Sequence, residues 1–130
     1  MRILFACLCG VAVLAVLVLS GLLAAVELTH PFWQTRASLT GGVVGVMLGG
    51  GLLWITGSKP ALARTMAWSM GISLGIVLFI TWRAAQTFIT SADFEAAAGE
   101  LWFLGYHLVA ATLVALVALI VAQRMPAPED

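Results

Sequence analysis

Charge is what this chain has least of. Six Lys or Arg and six Asp or Glu in 130 residues make up 9% of the sequence, whereas 62% is hydrophobic and the mean hydropathy is +1.09. A soluble domain carries roughly 25–35% charged residues on its surface, so water is not the main solvent for this chain. The formal net charge is zero and no block of Lys or Arg occurs, which argues against a nucleic-acid partner and against a polybasic lipid-binding segment. Histidine and cysteine are scarce too, limited to His30, His107, Cys7 and Cys9. Two residues apart on a helix, the cysteines project about 200° from each other, which excludes joint chelation of one ion and a disulfide. There is no nucleophile elbow, phosphate-binding loop or pair of intramembrane carboxylates. The expectation is a non-enzyme with no catalytic residue, no metal ligand and no cofactor.

What the chain does have is four long apolar stretches, covering about residues 3–26, 38–56, 62–82 and 101–122. At 1.5 Å per residue they span roughly 28 to 36 Å, the thickness of a bilayer core. The fold class that follows is an all-α integral membrane protein: four transmembrane helices in an antiparallel bundle, forming one domain over 1–124. A disordered tail is expected at 125–130. Met1-Arg2 before an apolar run resembles a secretory leader, but a run reaching residue 26 exceeds the ~7–15 residues of a leader core, so the first helix is expected to be retained.

Arg2, Lys59, Arg64 and Arg124 lie at the N-terminus, the second loop and the C-terminus, with Arg36 and Arg83 in the other two loops. That excess predicts a multi-pass protein of the bacterial inner membrane with both termini cytoplasmic. Trp54 and Trp68 flank the cytoplasmic turn, and Trp33, Trp82 and Trp102 fall at the outer edge, positions suited to interfacial anchoring. Glu27, the acid nearest an apolar stretch, reads as another interfacial anchor. Gly57 and Pro60, with Ser58 as a cap, predict a tight cytoplasmic hairpin at 57–60. Thr90-Ser91-Ala92-Asp93 has capping-box spacing and predicts a helix start. Residues 93–98 then either lie along the interface or run on into the fourth span.

Gly41, Gly45 and Gly49 recur every four residues on the second span, and Ala67, Gly71 and Gly75 recur likewise on the third. In lipid, close backbone approach through small residues supplies much of the packing energy. We therefore expect the second span to pack on the third, with self-association through a glycine face or a pore lining as alternatives. On the fourth span, Glu100, Leu104, His107, Ala111, Ala115, Ala118 and Ala122 fall on one helical face. His107 sits about six residues inside the outer boundary, roughly 9 Å deep, where an ionisable residue is a functional candidate by default. Its readings are a neutral imidazole bonded to a neighbouring helix or to Tyr106, proton handling with Glu100, or haem or metal ligation. A bis-histidine haem would need His30 folded inward from its loop.

Ser20-Gly21-Leu22-Leu23, Pro31-Phe32-Trp33, Ala37 and Gly41-Gly42 resemble the first hairpin of ATP synthase protein I, over about 23 residues. That family comprises small four-span bacterial membrane proteins with both termini inside. The resemblance implies a role in assembling the membrane rotor of ATP synthase, with magnesium handling as a further implication. Residues 49–53 lack the family's Pro-Asn and residues 69–75 lack its Gly-Glu and Lys, so no functional residue carries over. The glycine ladder also resembles the transmembrane protein 14 family. The functional expectation is an accessory subunit or assembly factor of a larger membrane complex, with the bilayer and a membrane-protein partner as its associates. The alternative is a small homo-oligomeric transporter or channel for an ion or small solute. A haem-binding electron carrier is a third reading.

Overall fold

The structure, a computed structural model, describes residues 1–57 and 59–125. The expected cap Ser58 and the expected tail from residue 126 onward lie outside the described residues. The chain forms α1 (Arg2–Leu19), the single turn α2 (Leu22–Ala25), α3 (Gln34–Thr56), α4 (Pro60–Thr90) and α5 (Ala96–Arg124). Four of these, α1, α3, α4 and α5, are long and apolar enough to cross a membrane. Both described termini and the α3–α4 turn lie at one end, here called proximal. The two longer loops form the distal end.

Three helix limits depart furthest from those read off the sequence, each for a local reason. The first span does not reach residue 26. Gly21 adopts a left-handed φ of 72°, a conformation that glycine enters without steric penalty. Ser20 Oγ donates to the Leu17 carbonyl at 3.0 Å and accepts from the Leu22 N–H at 3.4 Å, which closes α1 before the short α2. In the third span, α4 continues past residue 82 to Thr90. Its 31 residues extend about 46 Å, and the last two turns carry Ala84, Ala85 and Phe88, which pack with Trp102 of α5. Hydropathy marks only the part of that helix rich in apolar residues. The capping box at residues 90–93 starts no helix. Those residues end α4, and Ser91 Oγ accepts the N–H of Glu95, at the cap of α5, at 2.9 Å. Residues 96–98 accordingly run straight into the fourth span.

The four long helices do not occupy equivalent places. α5 is the centre: α1 and α3 pack on each other and on α5, while α4 packs on α5 and meets α3 only slightly. Over their most apolar windows, α5 is 56% buried and α4 only 6%. The expected pairing of the second span with the third is thus replaced by pairing of the second with the fourth. The turn that joins α3 to α4 is short, with Gly57 at φ 45° and Pro60 in the first helical turn. It brings the two helices together at the proximal end without packing them along their lengths.

Candidate functional site

Small residues let α3 and α5 touch backbone to backbone. A methyl group placed on Gly41 would lie 2.7 Å from Ala110 Cβ and 2.8 Å from the His107 carbonyl oxygen. One on Gly45 would meet the Ala111 carbonyl oxygen and Val114 Cβ, both at 2.7 Å, and one on Gly49 would meet Ala115 Cα at 3.1 Å. Gly10 of α1 approaches Val114 from another direction, where a methyl group would stand 2.5 Å from its carbonyl oxygen. Glycine on α3 therefore meets alanine and valine on α5. By contrast, a methyl group on Gly71 or Gly75 of α4 would meet nothing within 4 Å. The third span's own small residues are not the counterpart of the α3 ladder.

Above this seam, at the distal end, lies the polar part of the interior. Tyr106, 0% exposed, places its hydroxyl 2.7 Å from Ser38 Oγ on α3. Ser38 Oγ in turn lies 2.7 Å from the Gln34 carbonyl. A serine has one hydroxyl proton and a carbonyl can only accept. The relay therefore runs in one direction, with Tyr106 O–H donating to Ser38 and Ser38 O–H donating to Gln34. This direction has a measurable consequence. Tyr106→Phe removes a donor and leaves Ser38 satisfied, at about 1 kcal/mol, whereas Ser38→Ala strands a buried phenol, at about 1–3 kcal/mol. Detergent-unfolding titrations should rank wild type above Tyr106→Phe and that above Ser38→Ala; the reverse order of the two variants would reverse the relay.

An aromatic cluster surrounds the relay. Trp102 is 3% exposed and donates from Nε1 to the Leu28 carbonyl at 2.9 Å, tying the first loop to α5. Trp33 meets Trp102 edge-on at 5.5 Å and Phe103 edge-on at 5.4 Å, the favoured geometry for aromatic pairs. Trp102 is therefore a core residue and not the interfacial anchor that its position in the sequence suggests. Trp54 at 79% and Trp68 at 71% exposure keep positions suited to anchoring. Glu27, in a left-handed conformation at φ 57°, accepts from Gln86 Nε2 at 2.5 Å and so ties the same loop to α4.

His107 stands half-exposed beside this cluster, not enclosed in it. Its Nδ1 donates to the Phe103 carbonyl at 2.8 Å, one turn back on its own helix, and its ring packs edge-on to Phe103 at 4.5 Å. The expected partner on a neighbouring helix, or Tyr106, is not used, because consecutive residues on a helix diverge by about 100° and Tyr106 turns to Ser38. With Nδ1 engaged, Nε2 is the atom left to take a proton or a ligand. Glu100 is exposed, two turns away at a rise of about 10 Å, so the two groups are not brought together. Leu104, expected on the same face as His107, is 59% exposed, whereas Val109, which lies off that face, is 3% exposed. The packed surface of α5 is wider than one stripe.

His30 accepts the Phe32 N–H on its Nδ1 and lies edge-on to Trp102. Cys7 is buried and Cys9 partly so, both as free thiols. Among the described residues no three His, Cys, Asp or Glu gather as a metal site would require. Sequence reasoning did not single out Ser38, Trp33 or Trp102 as interior groups. The available signal was the lone tyrosine, Tyr106, whose hydroxyl needs a partner if buried. No protein family, curated protein or solved structure matches the chain, so the likeness of its first hairpin to ATP synthase protein I stays one of short motifs.

Proposed function

We propose that this is a multi-pass protein of a bacterial inner membrane, with both termini in the cytoplasm, that acts without catalysis as an accessory subunit or assembly factor of a larger membrane complex. The observation that carries the reading is the one-sided burial of α4. That helix packs on α5 along a single face, and the remainder presents Trp68, Gly71, Ile72, Gly75, Ile76 and Phe79 outward. A flat GxxxG surface flanked by large apolar side chains suits close approach by another membrane helix. The four basic residues Arg2, Lys59, Arg64 and Arg124, gathered at the proximal end, support the orientation.

Purification in mild detergent followed by mass spectrometry should recover a stoichiometric membrane-protein partner. The double variant Gly71→Leu, Gly75→Leu should lose that partner at least tenfold while its own unfolding stays within about 0.5 kcal/mol of wild type, as for any uncovered site. A clean monomer from native membranes would defeat the proposal. The half-exposed His107 favours a second reading, a homo-oligomeric transporter in which copies meet on α4. In that case the variant becomes monomeric, and His107→Ala alters flux in liposomes; reconstituted protein that passes no ion or small solute ends this reading.

A further inference from the structure

The proximal end holds a cavity of about 580 Å³, within the size range of small-molecule sites. It is walled by the first turns of α1 and α4 and the last turns of α3 and α5. Arg2 and Arg64 line it from different helices, together with Thr56 and Gln123 and an apolar wall from Ile3 and Leu53. Arg2 is held in place: its guanidinium donates to the carbonyls of Ala122 and Met125 at the end of α5, where backbone acceptors lack helical partners. Its Nε is buried without any partner. Arg64 is exposed. Gln123 Nε2 donates to the Ala63 carbonyl at 3.2 Å and fixes the opposite wall.

The charge balance of the two ends is lopsided. Among the described residues, the proximal end carries Arg2, Lys59, Arg64 and Arg124 and no carboxylate. Every described acid, namely Glu27, Asp93, Glu95 and Glu100, lies at the distal end. Charges that are scattered in the sequence are thus assembled by the fold around one cavity, although the net charge is zero. A pocket with two guanidinium groups, an apolar wall and, among the described residues, no carboxylate fits an anion attached to a hydrocarbon body. Arginine suits phosphate in particular, because its planar donors match paired oxygens.

We propose that this cavity binds a phosphate-ester anion, supplied by the headgroup of an anionic phospholipid at the membrane surface. Its place at the end of four bilayer-length helices puts it at headgroup depth, and basic pockets between helices are suited to such lipids. The proposal rests on the bilayer-spanning part of the reading above and is independent of any partner on α4.

Native mass spectrometry of the full chain in detergent, titrated with phosphatidylglycerol, phosphatidylcholine or inorganic phosphate, tests it. Phosphatidylglycerol should give a single saturable adduct several-fold tighter than phosphatidylcholine. Arg64→Gln should weaken it about fivefold, in line with one basic group near the surface, and leave phosphatidylcholine unchanged. Arg64 is the residue to vary because Arg2 also caps α5 and its loss can unfold the proximal end; circular dichroism should show Arg64→Gln folded as wild type. Millimolar inorganic phosphate should not compete. If phosphate alone binds and depends on Arg64, the anion site stands and its lipid source is wrong. Equal binding of the two lipids, or no effect of Arg64→Gln, overturns the proposal. The Gly71→Leu, Gly75→Leu variant should retain the lipid adduct, which separates failure here from failure of the partner reading.

Discussion

Gly45→Leu is expected to prevent α3 from seating on α5, a loss of about 3 kcal/mol or more. The first carbon of the new side chain would already stand 2.7 Å from both the Ala111 carbonyl oxygen and Val114 Cβ. Neither can yield cheaply. The carbonyl belongs to the central helix, and Val114 is approached from its other side by Gly10 of α1. Helix α5 would have to leave α1 in order to make room for α3. Equilibrium unfolding in mixed micelles, followed by tryptophan fluorescence, should show the variant unfolded or strongly shifted, with Gly75→Leu beside wild type as the matched control. Wild-type unfolding for Gly45→Leu would mean that α3 does not pack on α5 through its glycines.

Trp102→Ala is the second large effect, about 3–5 kcal/mol from loss of a buried aromatic side chain. The indole touches three structural units at once: Trp33 at the start of α3, Phe88 near the end of α4, and the first loop through the Leu28 carbonyl. Its removal leaves a void among those rings and a buried carbonyl without its donor. Trp102→Phe should recover most of the packing and none of the hydrogen bond, and so fall about 1 kcal/mol short of wild type. Proteolysis of the distal loops should follow the same order, with Trp102→Ala cut fastest. A Trp102→Ala protein as stable as wild type would return this residue to the role of an interfacial anchor.

The four long helices were legible because apolar length is a one-dimensional signal, and residues 38–56 or 101–122 carry it without any knowledge of neighbours. Pairing was less legible. Gly41, Gly45 and Gly49 announce a groove, but spacing alone does not say what fills it, and Gly71 and Gly75 repeat with the same period as Ala111 and Ala115. The choice is made by volume: glycine facing alanine or valine brings backbones close and still fills the gap, whereas two facing glycine ladders leave less side-chain surface in contact. The alanines of the fourth span were the missing half of that match. Helix ends were hidden for a different reason. Ala84, Ala85 and Phe88 follow Arg83, and a charge there reads as loop until the helix is seen to continue past a bilayer's thickness. The site was legible in its residue types and not in its contacts. His107 was conspicuous as an ionisable group, yet the buried polar relay formed around Tyr106 and Ser38, one position along the helix and one helix away.

The central place of α5 has a consequence for the order of events in a cell. Of the four long helices it is the last to leave the ribosome, so the piece that the other three assemble around is missing while they are being made. α1 and α3 have each other to lean on in that interval. α4 has almost nothing until a further 34 residues, from Ser91 to Arg124, have been added, roughly 2 to 7 s at ordinary elongation rates. For those seconds α4 is an orphan with both of its faces open, and a chain stalled before α5 would leave that helix without its packing partner.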